Sequence, residues 1–453
     1  MLKSITLIIL SIFGFNISAN SSTPKDCQLN ETFILIHGIG GSQRSFWKMK
    51  ESIEAKYPCS KAIEFSYETR NSKKTTLDFA KKLDKLISNT KQTKPKDINL
   101  VMHSQGGLVG LNWMLNSFKK QKGFHKSNLL RLNRYISMST PFWGSDYALM
   151  GKTVFYSLGV EDNIVSPFGK KQLHYMKYGS SFYMNMIDYL TSEESDDFKH
   201  FLKNDIQMLN IIGAVPLPKI LADSKFAQFY EGDMVVNVPS MKINFNYAQT
   251  QNKSYSPHNI EIALAEPINF ASESYAHGAH LKMLPNAPGI VFVPSSCIKF
   301  EECEHRPFLN LINYVETQNV DSNEEIHESI RGFDLHVIVD LPKGLEDLED
   351  DLEIVALDSK DESISLSRYL FRHTEQEPLQ IIDNRAYFVF KGSIMTDAID
   401  DTVHFDFKIK HPQIKSRIIR TYVQKGRITF LKTNVQKNKE QKSRFNLLRF
   451  LGL

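Results

Sequence analysis

A single serine in the stretch INLVMHSQGGLVG, residues 98–110, has the setting of a nucleophile. Ser104 follows an apolar run that predicts a buried strand, and apolar residues at helical spacing come after it. Small residues let the chain turn tightly between the two elements, which would expose the serine oxygen at the tip of the turn. A hydroxyl is a poor nucleophile until a neighbouring base takes its proton. The stretch therefore predicts nucleophilic catalysis, provided that the chain also supplies a base, an acid and an oxyanion site.

Three further stretches supply groups that such a serine needs, and their order along the chain is suitable. HGIGGS, residues 37–42, comes directly after the first predicted strand, where a backbone N–H of an oxyanion hole is required. STPFWGS, residues 139–145, follows the strand after the serine helix. EGDMVV, residues 231–236, follows the strand MLNIIGAV and offers the carboxylate of Asp233. The four stretches together predict a serine hydrolase more strongly than the serine turn does alone.

The four stretches resemble the α/β-hydrolase superfamily, in particular the lipase-like serine esterases, over roughly residues 30–315. The resemblance implies that Ser104 is the nucleophile, that Asp233 orients the base, and that the backbone N–H groups of Ile39 and Gln105 form the oxyanion hole. The usual serine pattern is Gly-x-Ser-x-Gly, and here Met102 takes the place of the first glycine. This departure narrows the space behind the turn but removes no reacting group.

The base is the least determined member of the expected triad. In this fold it lies on a loop beyond the acid, so that chain order excludes His37, His103 and His174; the first two are interpreted as structural supports of their loops. The remaining candidates are His277, His280 and His305. His280 is favoured, because it follows a plausible last strand and because His-Leu-Lys-Met-Leu resembles the family's His-x-x-Met/Leu pattern. The other two stay open as alternatives.

Short buried strands alternate with helical patterns through the first half of the chain, which predicts a parallel sheet with helices on both faces. We assign residues 27–318 to this α/β-hydrolase domain. Residues 146–205 interrupt the alternation and are rich in Met, Phe and Tyr, so this segment is either additional core or a cap over an apolar pocket.

A polar linker at residues 319–332 precedes a C-terminal part, residues 333–453, with several alternating segments. The pattern predicts an all-β, sandwich-like domain of antiparallel strands, and RTYVQKGRITFL predicts a hairpin around Lys425-Gly426. The basic tail, RFNLLRFLGL, could contact a partner or a membrane, although a terminal helix packed on its own domain is favoured.

The N-terminus has the form of a secretory signal peptide, residues 1–19, with Lys3 before an apolar run and Ile17-Ser18-Ala19 as the cleavage site. The sequence therefore predicts export, to the periplasm or outside the cell. In an oxidising compartment the four cysteines suggest two disulfides, and their proximity in the chain favours Cys27 with Cys59 and Cys297 with Cys303.

Composition and charge exclude some classes of function but do not identify the substrate. A formal charge of +4 on 453 residues gives no reason to expect a nucleic-acid partner, and no cofactor or metal is predicted. The leading hypothesis is a hydrolase of carboxylic esters with apolar acyl chains, such as lipids, with peripheral contact to a lipid surface left open. Acyltransferase or amidase chemistry could use the same acyl-enzyme. The alternative from another class of function is a catalytically inactive protein with the hydrolase fold that acts as a binding or scaffold protein.

Overall fold

The computed structural model describes residues 27, 29–145, 169–214, 232–233, 235–249, 254–258, 263–264, 268–269, 306–320, 330–345, 352–357, 364–365, 381–382, 384–394 and 403–438. Several predictions fall outside the described residues: the signal peptide, the first part of the segment 146–205, the three candidate base histidines, the pair Cys297–Cys303, and the basic tail.

The described strands are β1 Thr32–Ile36, β2 Lys61–Phe65, β3 Ile98–His103, β4 Leu132–Met138, β5 Gln207–Ile211, β6 Gly213–Ala214, β7 Phe245–Gln249, β8 Ser254–His258, β9 Ala263–Leu264, β10 Ile268–Asn269, β11 Gly332–Asp340, β12 Glu353–Leu357, β13 Ile364–Ser365, β14 Ile381–Ile382, β15 Arg385–Ile394, β16 Val403–Lys410, β17 Arg417–Val423 and β18 Ile428–Asn434. The described α-helices are α1 Trp47–Lys56, α2 Thr76–Asn89, α3 Gln105–Phe118, α4 Lys126–Leu129, α5 Lys170–Met176, α6 Ser181–Leu190, α7 Asp196–Asn204, α8 Val238–Met241 and α9 Arg306–Thr317.

A six-stranded sheet in the order β2-β1-β3-β4-β5-β9 forms the centre of the first part of the chain, and its strands pair in parallel. Every residue of β1 and β3 is buried, as expected of strands covered on both faces. β3 lies between β1 and β4, so the residues that follow these three strands meet at one edge of the sheet. The predicted parallel sheet is confirmed.

Side chains of alternate strand residues pack against helices on opposite faces. Ile34 and Leu100 share one buried cluster with α2 and α3, whereas Phe33, Leu35 and Val101 share another with α1 and α9. The predicted helices on both faces are therefore present.

Helix α2 begins with a capping box, which fixes the point where the chain enters the helix. Thr75 Oγ1 accepts a hydrogen bond from Asp78 N, and Asp78 Oδ2 accepts one from Thr75 N at 2.8 Å. Two backbone N–H groups that the first helical turn would leave unpaired are satisfied in this way. The apolar side of the helix, which includes Phe79, Leu83 and Ile87, is thereby directed at the sheet.

The described residues of the segment 146–205, numbers 169–205, contribute side chains to the core. Met176, Tyr178, Tyr183, Met184 and Met186 are 5% exposed or less and belong to the cluster that contains residues of α2 and α3. For these residues the enrichment in Met and Tyr reflects packing, which was one of the two interpretations of the sequence. The cap interpretation now depends on residues 146–168, which lie outside the described ranges.

The C-terminal part contains two sheets packed as a sandwich. A seven-stranded sheet follows the order β13-β15-β11-β18-β7-β8, with β14 also paired to β15, and a three-stranded sheet follows β12-β16-β17. The inward positions are apolar, and Leu335, Val337, Phe407 and Ile409 lie in the shared core. The sandwich-like, all-β character is confirmed, but the larger sheet is mixed rather than antiparallel, because β18 pairs in parallel with both β11 and β7.

The predicted hairpin around Lys425-Gly426 is wrong. β17 belongs to the three-stranded sheet and β18 to the seven-stranded sheet, so the chain crosses between sheets at this turn. Gly426, with φ 59°, donates its N–H to Gly332 O at 2.6 Å. In addition, β7 and β8 come from the region before residue 318, so the larger sheet draws strands from both sides of the predicted linker.

Cys27 and Cys59 form a disulfide with 5.5 Å between their Cα atoms, which is one of the two expected pairs. It links the segment before β1 to the residues just before β2. Among the helices in the described ranges, none is long and apolar enough to cross a membrane.

Candidate active site

Ser104 occupies a strained turn between β3 and α3. Its φ of 53° and ψ of −125° lie outside the regions that L-residues readily adopt. The turn is fixed from both sides, because Ser104 N donates to Met138 O at 2.9 Å and Gly107 N donates to Ser104 O at 3.0 Å. Strain of this kind costs about 1–3 kcal/mol and persists where a side chain must be presented in a particular direction. The turn is the nucleophile geometry that the sequence predicts.

Close backbone approach explains the glycines around Ser104. A Cβ at Gly38 would lie 2.7 Å from Ser104 Cβ, so the loop after β1 contacts the serine directly. A Cβ at Gly106 would lie 2.4 Å from Ile36 O, and one at Gly107 would lie 2.0 Å from Thr140 Oγ1. Larger residues at these positions would push apart the loops that follow β1, β3 and β4.

Met102 is accommodated by a second small residue on α3. Met102 is fully buried, and a Cβ at Gly110 would lie 2.3 Å from its Sδ. The methionine side chain fills the space that a glycine at position 102 would leave open. Because Gly110 has no side chain, α3 can pack close to Met102 at this point. Gly110 lies outside the four stretches, although a glycine inside an apolar helical pattern, so soon after the serine turn, is a sequence signal of close packing.

Ile39 and Gln105 are the residues expected to donate the oxyanion hydrogen bonds. Each comes directly after a residue that contacts the other loop. Ile39 follows Gly38, and Gln105 follows Ser104, whose Cβ would lie 2.7 Å from a Cβ at Gly38. The loop continues in a turn in which Gly41 N donates to Gly38 O at 3.2 Å and Gly40 has φ 75°. Both backbone N–H groups therefore belong to the edge of the sheet where Ser104 lies.

His37 has a supporting role in this loop. It is 1% exposed, its ring stacks on Tyr67 at 4.3 Å between ring centroids, and its Nδ1 donates to Gly38 O at 2.8 Å. Burial lowers the pKa of His37 to about 4, against the smaller opposite effect of the bond to Gly38. His37 is therefore neutral at physiological pH, in keeping with its interpretation as a support rather than the base.

Tyr67, which no sequence motif indicates, connects the loops of the two expected oxyanion residues. Its hydroxyl donates to His37 O and lies 3.5 Å from the side-chain Oε1 of Gln105. Nε2 of Gln105 has no partner among the described residues, and exchanging the amide oxygen and nitrogen would direct an N–H at the Tyr67 hydroxyl. Burial raises the pKa of Tyr67 well above its usual value, so the hydroxyl keeps its proton.

Replacing Tyr67 by phenylalanine is expected to lower kcat about tenfold, because the ring stack on His37 survives while the hydroxyl that joins the two oxyanion loops is lost. The matched control is Tyr314→Phe, which removes a hydroxyl that donates to Met208 O at 3.1 Å, at the start of β5 and away from the serine edge. Both variants should lose about 1 kcal/mol of stability. Equal kcat values in steady-state ester hydrolysis would contradict the role of Tyr67.

Asp233 is held in a tight loop by backbone hydrogen bonds. It is fully buried, and its Oδ1 accepts from Val235 N at 3.0 Å and Val236 N at 2.8 Å. The loop closes by a bridge between Gly232 and Asn237, where a Cβ at Gly232 would lie 2.0 Å from Val236 O. A carboxylate fixed through one oxygen in this way keeps a defined orientation for its other oxygen.

The Asp233 loop is attached to the loop after β4, which carries the STPFWGS motif. Ser145 Oγ donates to Val235 O, and Trp143 N donates to Ser240 Oγ at 3.2 Å. Trp143 Nε1 donates to Lys242 O at 2.8 Å. The motif therefore connects the loop of the expected acid to the strand beside Ser104.

The three candidate bases, His277, His280 and His305, lie outside the described residues. Of the residues expected to form the site, Ser104, Asp233, Ile39 and Gln105 lie in the described ranges. The identity of the base stays a prediction.

Comparison with known proteins agrees with this fold. Residues 29–172 match the family model described as "Putative serine esterase (DUF676)". No curated protein sequence matches the chain significantly. The structure of phospholipase PlaB from Legionella pneumophila is similar, with a TM-score of 0.58 and 14% identity over 90% of this chain and 94% of that one.

Two further structures match less closely. A metagenomic carboxyl esterase, MGS0156, has a TM-score of 0.38 and 13% identity over 64% of this chain and 76% of that chain. A Bacillus licheniformis lipase, BlEst2 in its propeptide form, has a TM-score of 0.37 and 10% identity over 87% and 94% of the two chains.

The fold of the catalytic part is that of the α/β-hydrolases, and the family match associates it with serine esterases. The predicted resemblance is confirmed.

Proposed function

We propose that this chain is an exported serine hydrolase that cleaves carboxylic esters with apolar acyl chains through an acyl-enzyme on Ser104. The observation that carries the proposal is the strained Ser104 turn, pressed against Gly38 of the neighbouring loop. The match of residues 29–172 to a serine esterase model supports the reaction class. The fold shared with a phospholipase makes phospholipid esters the first natural substrates to test. The export part rests on the signal-peptide pattern of residues 1–19.

In the proposed reaction Ser104 Oγ attacks the acyl carbon while its proton passes to the base histidine. The N–H groups of Ile39 and Gln105 bind the oxyanion of the tetrahedral intermediate. The bond to the alcohol oxygen then breaks, and the alcohol leaves with the proton from the histidine. Water, deprotonated by the same histidine, hydrolyses the acyl-enzyme and restores Ser104.

A fluorophosphonate probe followed by a panel of p-nitrophenyl esters of increasing chain length tests the proposal. Labelling at Ser104 and hydrolysis that improves with acyl length are the expected results. A chain that reacts with neither the probe nor any ester would be the inactive hydrolase fold. Transfer of the acyl group to an added alcohol or amine in preference to water would reassign the chain as an acyltransferase.

We propose His280 as the base, because the resemblance around it is the most specific of the three candidates. His280→Ala should slow single-turnover acylation of Ser104 by about 10³-fold or more, since triad residues act together. His277→Ala and His305→Ala serve as matched controls and should acylate within a few-fold of the wild-type rate. Acylation of His280→Ala at the wild-type rate would transfer the role to whichever of the other two variants is impaired.

A further inference from the structure

Two segments at the serine edge of the sheet carry an excess of exposed positive charge. The first, residues 66–75, is the loop between β2 and α2, and the second, residues 169–172, leads into α5. Within these segments the exposed side chains include five cations and one carboxylate, that of Glu68. The chain as a whole is nearly balanced, with a formal charge of +4 on 453 residues. The five cations are here called the basic rim: Arg70, Lys73, Lys74, Lys170 and Lys171.

Hydrogen bonds hold the two segments against each other. Gly169 N donates to Thr69 O at 3.0 Å, and Gln172 Nε2 donates to Asn71 O at 3.1 Å. Gln172 is fully buried, and a Cβ at Gly169 would lie 2.4 Å from its Nε2 and 2.9 Å from Asn71 O. The two segments therefore approach closely, and the cations that they carry belong to one surface.

The basic rim borders the edge of the sheet where Ser104 is presented. The loop 66–75 begins just after β2, whose carboxyl end shares this edge with those of β1 and β3. Tyr67, near the start of the loop, donates its hydroxyl proton to His37 O in the loop after β1. Arg70 follows Tyr67 by three residues, which span at most about 10 Å of chain. The rim is therefore close to the proposed site and not on a remote face.

Local stability does not account for the placement of these cations. In the ranges that the structure describes, none of the five forms an ion pair. Lys170 and Lys171 lie in the first turn of α5, where the positive end of the helix dipole disfavours a cation and no acidic residue is present. Lys73 and Lys74 stand just before Thr75, the residue that caps α2, and so also lie near the positive end of a helix. An anionic surface would relieve the repulsion among these charges.

We propose that the basic rim binds the surface of an anionic phospholipid bilayer and thereby turns the edge that carries Ser104 toward the lipid. The inference rests on the proposed function, since it takes lipid esters as the substrates. Five cations spread over two segments, all of them exposed, suit a surface of many phosphates better than one phosphate. Each cation adds attraction that acts within about 8 Å of the bilayer at physiological ionic strength. The rim thus concentrates the enzyme on its substrate without contacting the reacting atoms.

Binding to vesicles of diether phospholipids, which contain no carboxylic ester, tests the basic rim apart from catalysis. Phosphatidylcholine vesicles with about one third phosphatidylglycerol should bind the protein about tenfold or more tightly than phosphatidylcholine alone, and about 0.5 M salt should abolish the difference. Lys73→Gln/Lys170→Gln removes one charge from each segment and should weaken binding to the anionic vesicles about tenfold or more. Lys74→Gln/Lys171→Gln is a second pair with the same expected loss, should the first pair fail to fold.

Lys91→Gln/Lys122→Gln is the matched control, because it removes the same charge from exposed lysines in the loops after α2 and α3. The 14 residues of α3 separate Lys122 from the Ser104 turn by about 21 Å. Binding of the control to anionic vesicles should stay within about twofold of the wild type, because charges beyond a Debye length are screened. All variants should keep the wild-type kcat/KM for p-nitrophenyl acetate in solution.

Equal losses of vesicle binding in the rim and control variants would mean that binding follows net charge alone and would overturn the proposal. Equal binding of the wild type to both kinds of vesicle would do the same. Binding that inorganic phosphate abolishes at constant ionic strength would replace the surface by a site for one phosphate. An esterase that binds no anionic vesicle would overturn the rim alone. A wild type inert toward every ester but bound through the rim would overturn only the proposed function.

Discussion

Ester hydrolysis by the Ser104→Ala variant is expected to fall by about 10³-fold or more, with the fold retained. The hydroxyl is the proposed nucleophile, and loss of one triad member costs nearly as much as loss of all. The backbone bonds that fix the turn, to Met138 O and from Gly107 N, do not involve the side chain. The measurement is kcat on a purified preparation together with thermal unfolding.

Ser137→Ala is a suitable control, because Ser137 is a buried serine on the adjacent β4 whose Oγ lies 3.4 Å from Leu209 O. Its activity should match that of the wild type. Ser104→Gly should be as inactive as Ser104→Ala but more stable by about 1 kcal/mol, because glycine adopts φ 53° without strain. Residual activity well above the expected level in either Ser104 variant would exclude this serine as the nucleophile.

The Asp233→Asn variant is expected to lose about 10²–10⁴-fold in kcat while its loop stays closed. Asparagine keeps an oxygen that can accept from Val235 N and Val236 N, so the bonds at 3.0 and 2.8 Å can survive. What is lost is the negative charge that orients the base and stabilises its protonated form. The loss should appear in both acylation and deacylation, measured by stopped-flow kinetics.

Asp78→Asn provides the comparison for an aspartate with a purely structural bond, since its Oδ2 accepts from Thr75 N at the start of α2. It should change stability by less than about 2 kcal/mol and leave kcat as it is. If Asp233→Asn retained a kcat close to that of the wild type, the acid would have to be sought elsewhere in the chain.

The sheet and the serine turn were predictable because their sequence signals are local. Four of the five residues of β1 are apolar, and glycines mark the turn where backbones approach within van der Waals contact. The role of Tyr67 was not predictable, because a buried tyrosine that bonds a backbone carbonyl has no sequence signature. The positions of Met176 and Tyr183 were ambiguous for a similar reason, since core and pocket favour the same side chains.

The C-terminal topology shows where local signals fail. β17 and β18 alternate like the strands of a hairpin, and a Lys-Gly turn suits a hairpin as well as a crossing between sheets. The pairing of β18 with β7 joins residues that are far apart in sequence, such as Ile428 and Phe245. Parallel pairing over such a distance requires knowledge of the whole fold.

The place of β18 between β7 and β11 has a consequence for how the chain folds during synthesis. β7 lies far earlier in the chain than β18, and neither β7 nor β11 can complete its pairing at this position until residues 428–434 arrive. Such long-range closure is slow, because chain entropy must be lost before contacts form. The larger sheet thus stays incomplete until the last of the described strands has left the ribosome.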